Sequence, residues 1–439
     1  MADDWGWPYA TPYGDKVVKT PAFDRLAKEG ILFERAFVSS PSCTPSRNAI
    51  LTGQEFYRLE KGANLWNTLD VSYPNFMFLM RDAGYDIGHW RKAWGPGFPE
   101  RGGYEEHPCG PESTFPEFLN KRDSENPFCF WFGTSDPHRG YRKGSGRESG
   151  IPLEDIQLPG FFPDNETVRS DIADYYYEVQ RWDNDVSKAL ALLEEKGLLE
   201  NTIVVMTGDH GMPFPRCKAN LYDWGTRVPL VIRWGANMPA TSKTNALVSL
   251  TDLAPTFLEA AGAETPSEMT GKSLIPLLAP KRTNNYQERD TLVFGRERHT
   301  PSQKAPSNAG YPGRAIRTDQ WLLIHNLTPD RWPAGVPTGA THHSGRFSDS
   351  DAGPTKEVII DMHDDPENHK YFELCFGKRP EFELYNCEDD RDQIHNLASE
   401  SEYAEKVREL RTTLEQHLSR TGDPRFTEQP VKFEEYRYR

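Results

Sequence analysis

Residues Thr202-Ile203-Val204-Val205-Met206-Thr207 run directly into Gly208-Asp209-His210-Gly211. A short β-branched apolar run of this kind reads as a strand buried on both faces. Just upstream, Ile172, Tyr176, Val179, Trp182, Val186, Ala189 and Leu193 recur at spacings of three and four. That period predicts a helix from about Ser170 to Lys196, stopped by Gly197. Phe128–Phe132 (FCFWF) and Val228–Trp234 (VPLVIRW) share the strand texture. Strands alternating with helices predict an α/β fold with a mostly parallel sheet and a site at the strands' carboxyl ends. Asp209-His210 and Asp136-Pro137-His138 both fall there.

Further out, Thr20-Pro21 offers a hydroxyl cap and a first-turn proline to a helix with Phe23, Leu26 and Ala27 on one face, ending near Gly30. From about residue 290 the texture changes. TLVFGRER, RAIRTDQWLLIHN and FELYN alternate as strands, separated by the Pro/Gly/Ser/His-rich stretch 328–354. A last amphipathic helix carries Tyr403, Val407, Leu410, Leu414 and Leu418 before Gly422. The predicted organisation is a larger α/β part over residues 1–290 and a smaller part over residues 291–439. The smaller part is an antiparallel sheet with one packing helix, and the boundary falls at 285–295.

The 439 residues are long enough for two such units. Gly 34 and Pro 35 point to long ordered loops rather than a helical bundle. With 51 basic against 66 acidic residues the formal charge is −15, which argues against general nucleic-acid binding. An anionic substrate would need a local basic pocket inside an acidic protein. No apolar run has the length of a membrane span. The opening Met1-Ala2-Asp3-Asp4 has neither the basic nor the apolar region of a signal peptide. The 6 cysteines have no zinc-finger spacing; Cys375 and Cys387 are read equally as one disulfide or as two thiols.

The most informative stretch for chemistry is Ser42-Cys43-Thr44-Pro45-Ser46-Arg47-Asn48-Ala49-Ile50-Leu51-Thr52-Gly53. A cysteine just before a helix-opening proline, with an arginine one turn on, reads either as an activated thiol or as a buried structural cysteine. The whole run resembles the signature of the type I sulfatases, whose cysteine is oxidised to formylglycine. Other family motifs follow in order: Asp3-Asp4-Trp5-Gly6, His138 in SDPHRG, Gly208-Asp209-His210-Gly211, Lys218 in KANLYDWGTRVPL, and ELYNCEDDRDQIHNLA, with Gln393 in the place of the usual glutamate.

The resemblance implies an alkaline-phosphatase-like fold, a large mixed sheet flanked by helices with a smaller carboxyl-terminal antiparallel sheet. It implies metal ligands Asp3, Asp4, position 43, Asp209 and His210, one calcium ion per chain, and a maturation enzyme that makes formylglycine from Cys43. A sulfate ester resists an anionic attacker, so a metal and cations must neutralise it first. By the same resemblance, a hydroxyl of the hydrated aldehyde attacks sulfur, His138 protonates the leaving group, and the second hydroxyl lets the aldehyde re-form as sulfate leaves. Arg47 should orient the hydrate; Lys92 and Lys218 should hold sulfate. His210 stands where many relatives have asparagine, so it either binds the ion or sits beside it.

Two departures stand out. Trp94 occupies the place of the family's histidine after Lys92; His89 is the candidate substitute, against a plain surface histidine. In the family a buried strand leads into the Asp-Asp pair, and here only two residues precede it, so either the sequence is truncated or the sheet lacks a strand, leaving Asp3 and Asp4 without an anchor. DHGMPFPRCKANLYDW (209–224) is similar to the heparan N-sulfatases, which implies N-sulfoglucosamine in heparan fragments as substrate, with an O-sulfated glycan as runner-up. Arg139, Arg142, Lys143, Arg147, Arg296, Arg298 and His299 either meet an acidic glycan or are ordinary loop residues. A phosphoesterase of the wider superfamily and a glycan-binding protein without turnover are the readings from other classes. The family usually works outside the cytoplasm.

Overall fold

The computed structural model describes residues 1–235, 238, 242–278, 287–339, 345–427 and 431–439. Part of the expected boundary (285–286) and of the stretch 328–354 (340–344) lies outside them. The apolar runs form strands β1 (Ile31–Phe37), β2 (Asp86–Trp90), β3 (Phe128–Phe132), β4 (Val204–Thr207), β5 (Arg227–Arg233), β6 (Ser242–Thr244) and β7 (Val248–Ser249). One sheet has the order β4-β5-β1-β6, with β7 also on β1; β2 and β3 form a parallel pair. β6 and β7 run parallel to β1, but β5 is antiparallel to both β1 and β4. The expectation of a mostly parallel sheet is therefore corrected to a mixed one. The chain between β4 and β5 stays at the carboxyl end of β4, wound around the site with only the short helix Asp223–Thr226. It re-enters the sheet from that same end, and a parallel return would need a crossover.

Helices α1 (Pro21–Glu29), α2 (Cys43–Thr52) and α3 (Glu166–Glu195) match the period of their buried residues. The expected hydroxyl cap of α1 is replaced. Thr20 Oγ1 donates instead to Asp24 at 3.1 Å. Asp183 of α3 accepts the Ala22 and Phe23 amides at 2.8 and 3.0 Å, satisfying helix-end donors from a neighbouring element.

In the carboxyl-terminal part, β8 (Leu292–Arg296), β9 (Gly313–Arg317), β10 (Trp321–Asn326) and β11 (Phe382–Asn386) form an antiparallel sheet of order β11-β10-β9-β8. Helix α4 (Pro354–Asp361) precedes β11. Helix α5 (Ala404–Thr421) buries Leu410, Leu414 and Leu418 and ends at Gly422, whose φ of 80° suits glycine. These leucines share one apolar core with Phe33, Ile50, Leu230, Ile316 and Leu323, so the core runs through both parts of the chain.

Among the described residues no strand intervenes between β3 and β4. A cavity of about 560 Å3 lies between them, lined by Phe128, Phe130, Val204, Met206 and Leu190. Residues 1–3 cross its rim. The Met1 nitrogen donates to Phe132 O at 2.7 Å, Ala2 N to Thr207 O at 2.9 Å, and Asp209 N to Ala2 O at 3.2 Å. Asp3 N then reaches Asp136 O at 3.1 Å. The expected lack of an anchor is thus overturned: Asp3 and Asp4 are 1% and 0% exposed and held by both neighbouring strand ends. All six cysteines are free. Cys375 faces Phe161 O and Cys387 faces Gln393, so the disulfide alternative falls. No helix among the described residues is long and apolar enough to cross a membrane.

Candidate active site

The loops after β3 and β4, residues 1–5 and the amino end of α2 converge at one place. Close backbone contact makes this possible. A side chain at Gly208 would meet Trp5 O at 2.0 Å, and one at Gly211 would meet Trp224 O at 1.9 Å. Glycine is needed there so that the two acidic motifs can approach. Asp4 has a φ of 69°, a left-handed conformation that Asp tolerates better than most residues. Its amide donates to Asp209 Oδ1 at 2.8 Å, and Tyr175 Oη donates to its carbonyl at 3.1 Å.

Cys43 opens α2 and is 3% exposed. Its Sγ lies 3.7 Å from Asp3 Oδ1 and 3.3 Å from His210 Nε2. Burial pushes the thiol up, with Lys92 opposing, so the reading of an activated thiolate is not supported by its surroundings. Asp3, Asp4, Cys43 and His210 each present a donor atom, all within 4.8 Å of one another. Asp4 Oδ1 is buried and accepts no hydrogen bond, yet sits 3.2 Å from His210 Nε2. His210 Nδ1 donates to Gly211 O at 3.0 Å, and its Nε2 faces the group. An orphaned carboxylate oxygen, a second carboxylate and an imidazole nitrogen fit a divalent cation.

Asp209, expected beside them, is turned otherwise. Its Oδ1 takes the Asp4 amide and its Oδ2 takes Arg47 Nε at 2.9 Å, and it falls outside the four-donor group. Arg47 is fully buried beneath the carboxylates. It also donates to the carbonyls of Lys92 and Ala93, both at 2.9 Å, and lies 3.4 Å from Asp3 Oδ1. Lys92 Nζ is 2.5 Å from both Asp3 oxygens. Burial pushes the Asp3 carboxyl up, but Lys92 and Arg47 outweigh it and hold it well below the usual carboxylate range.

Lys218 Nζ donates to Asp4 Oδ2 at 2.8 Å and to Asp351 Oδ2 at 2.9 Å. Burial pulls its ammonium down, and Asp351 and Asp4 more than restore it, leaving it well above the usual lysine value. His138 Nε2 is 3.8 Å from Asp4 Oδ2, and the side chain is 35% exposed, the open side of the site.

Several sequence expectations do not meet here. His89 is neither a surface residue nor at the site: it is buried, its Nδ1 faces Gly110 O at 2.8 Å, and its ring stacks on His107. Trp94 donates its indole N–H to Asn48 instead of facing the carboxylates. Arg296, Arg298 and His299 are buried. Arg296 holds Asp349 at 2.6 Å, Arg298 holds backbone carbonyls, and His299 holds Ser42 Oγ at 2.8 Å. Arg139 forks onto Asp171 at 2.8 Å; Arg142 and Arg147 pair with Glu148 and Glu166. They form no basic patch at the site; Arg142 and Lys143 are exposed loop residues, and Arg147 is exposed on the short helix Ser145–Glu148. Asp351 was not legible beforehand: a single carboxylate in a Ser/Gly-rich loop carries no spacing signal.

Residues 1–263 match the sulfatase family, and residues 208–333 match the carboxyl-terminal N-sulphoglucosamine sulphohydrolase family. The chain is 29% identical to the human N-sulphoglucosamine sulphohydrolase over 97% of its own length and 90% of that protein. It is 26% identical to an ulvan-active sulfatase of Formosa agariphila, covering 96% and 74%. Among solved structures, BT4656 in complex with its substrate D-glucosamine-2-N,6-O-disulfate superposes with a TM-score of 0.68 at 20% identity, covering 98% of each chain. The fold is alkaline-phosphatase-like, and with its family match spanning more than half of its length the chain belongs to the sulfatase family.

Proposed function

We propose that this sulfatase removes the N-sulfate of glucosamine from heparan sulfate or heparin fragments, using a formylglycine made from Cys43 and one bound calcium ion. The observation that carries the reading is the meeting of Cys43 with Asp3, Asp4 and His210, with Lys218 and His138 on the other carboxylate oxygen of Asp4. Asp3, Asp4, His210 and position 43 would hold the ion, with Asp209, whose Oδ1 lies 3.7 Å from His210 Nε2, as the further ligand the resemblance implies. When bound, the ion neutralises the sulfuryl oxygens and sharpens the attacking oxygen. The rest falls to the chain's own side chains. Lys218 and Lys92 hold sulfuryl oxygens against the carboxylates. His138, on the open side, gives the leaving atom its proton. Arg47 fixes Asp3 and the Asp209 loop in place.

The N-sulfate assignment is supported by the likeness to the human N-sulphoglucosamine sulphohydrolase and by the match over residues 208–333. Cleavage of an O-sulfated glycan is the second reading, favoured by the likeness to the ulvan-active sulfatase. A glycan-binding protein with weakened turnover is the third, favoured by Trp94 in the histidine's place. After co-expression with a formylglycine-generating enzyme, mass spectrometry across residue 43 should find the aldehyde or its hydrate, and the protein should release sulfate from N-sulfoglucosamine. Cys43→Ala and Lys218→Ala should each lower that release by at least a thousandfold with the fold retained. An active enzyme with an unmodified thiol would overturn the mechanism, and glycan binding without turnover would favour the third reading.

A further inference from the structure

Asp351 is a carboxylate aimed into the open side of the site from the carboxyl-terminal part of the chain. Its Oδ2 accepts from Lys218 Nζ at 2.9 Å, and it lies within 4.8 Å of both His138 and Asp4 donor atoms. It is outside the group formed by Asp3, Asp4, Cys43 and His210. Asp4 separates the two sides: Oδ1 faces His210, and Oδ2 faces Lys218 and His138. Asp351 therefore stands with the leaving-group histidine, across Asp4 from Asp3, Cys43 and His210.

Its position is built, not incidental. Two residues before it, Asp349 is buried and accepts Thr300 N at 2.8 Å, Thr300 Oγ1 at 2.6 Å and Arg296 at 2.6 Å. Lys356 of α4 donates to Ser350 O at 2.7 Å. Two residues after it, a side chain at Gly353 would meet the Arg139 guanidinium at 2.5 Å, and Arg139 is itself forked onto Asp171. Thr355 then donates to Asp171 through its amide at 3.1 Å and its hydroxyl at 2.7 Å. The loop is pinned on both sides, and the one carboxylate it leaves partly open is Asp351, at 24%.

Resting on the N-sulfate reading above, we infer that Asp351 is a specificity-determining residue that accepts an N–H hydrogen bond from the departing nitrogen and so selects sulfamates over sulfate esters. The selection follows from counting protons on the leaving atom. A sulfamate nitrogen already carries one hydrogen. As the S–N bond breaks, its electron pair stays on nitrogen and the sulfuryl group passes to the attacking oxygen. His138, acting as the acid, supplies a second hydrogen, and the product is a neutral amine. The hydrogen the nitrogen started with is then free to meet a carboxylate. An ester oxygen carries none; its only proton comes from His138, and a lone pair would face Asp351. A carboxylate only accepts, so it rewards the first arrangement and repels the second. When the amine later takes a proton from water, Asp351 is also the counter-charge to the ammonium.

The test compares N-sulfoglucosamine with glucose 2-sulfate, which differs only by O for NH. The ratio of their kcat/KM values on one preparation is independent of the folded fraction. Wild type should favour the sulfamate. Asp351→Asn, whose amide both accepts and donates, should lower that ratio roughly tenfold to a hundredfold. Asp351→Glu should keep it within about threefold. An unchanged ratio in Asp351→Asn, or equal loss on both substrates, would overturn the inference while leaving the N-sulfate reading intact. Wild type that prefers glucose 2-sulfate, or cleaves neither, would overturn the N-sulfate reading and this inference with it. Should Asp351→Asn not fold, Asp351→Ser gives the same comparison.

Discussion

Arg47 illustrates how much one side chain holds here. Its guanidinium is 0% exposed and lies between Asp209, Asp3 and two backbone carbonyls. Removing it leaves two buried carboxylates with reduced compensation, so Arg47→Ala should lower unfolding free energy by about 3–5 kcal/mol in urea titration. Arg47→Lys should recover only part, because an ammonium cannot reproduce the fork. Near-native stability of the alanine variant would contradict the role drawn for it. The sequence pointed to this arginine through its one-turn distance from Cys43. It could not show that the guanidinium faces the carboxylates from beneath, since that depends on where the β4 loop passes. Gln393 is a similar case. Its Oε1 accepts the Asp223 amide at 2.8 Å and its Nε2 donates to Cys387 at 3.3 Å. An amide serves there as acceptor and donor at once, which a carboxylate could not do.

At the scale of elements, β2 carries the histidine that sequence reading placed near the chemistry. His89 and His107 stack with ring centroids 3.9 Å apart, and Cys109 N donates to His107 Nδ1 at 3.1 Å, a bond that needs a neutral ring. Burial, together with His89, pushes His107 down to about 4. An unfolded histidine titrates near 6.5, so between those values the unfolded chain binds a proton that the folded chain does not. Stability should therefore fall as pH drops from about 6.5 towards 4. His107→Phe should flatten that limb, by about 1–2 kcal/mol at pH 4.5, in urea midpoints measured across pH. Parallel curves for the variant and wild type would sink the assignment. The 3.6-residue period of α3 and the apolar runs of β3, β4 and β5 were plain in the sequence. The direction of β5 was not, because periodicity records which faces are buried and says nothing of which end a strand enters from.

For the whole molecule, the tie between the carboxyl-terminal part and the rest is ionic as well as apolar: Arg317 of β9 forks onto the buried Asp223 at 3.0 and 3.1 Å. The carboxyl-terminal part also has a buried ionic cluster of its own. Asp423 accepts from Arg314 at 3.1 Å; Arg314 also reaches Glu297 at 2.7 Å, and Arg425 reaches Glu297 at 2.6 Å. Arg314 and Asp423 side chains are both 0% exposed. Asp423→Ala should cost about 3–5 kcal/mol by leaving a buried guanidinium under-compensated. Because Leu410 and Leu414 share a core with Phe33 and Leu230, its unfolding should remain a single transition in far-UV circular dichroism. Two separated transitions would mean that residues 291–439 fold as an independent unit.

The sequence by itself determined the family, the order of its motifs and most of the residues at the site, because each motif is a local pattern whose chemistry demands particular residue types. Only the tertiary structure decided which of them touch. It anchored Asp3 and Asp4 between two strand ends, turned Asp209 towards Arg47, drew His89 away, and paired Arg142 and Arg147 with neighbouring carboxylates. It also brought Asp351 across from the far part of the chain. The contacts at the site join segments more than a hundred residues apart, as Arg47 to Asp209 and Lys218 to Asp351, set by burial and hydrogen-bond satisfaction in the packed fold, and no spacing along the chain encodes them.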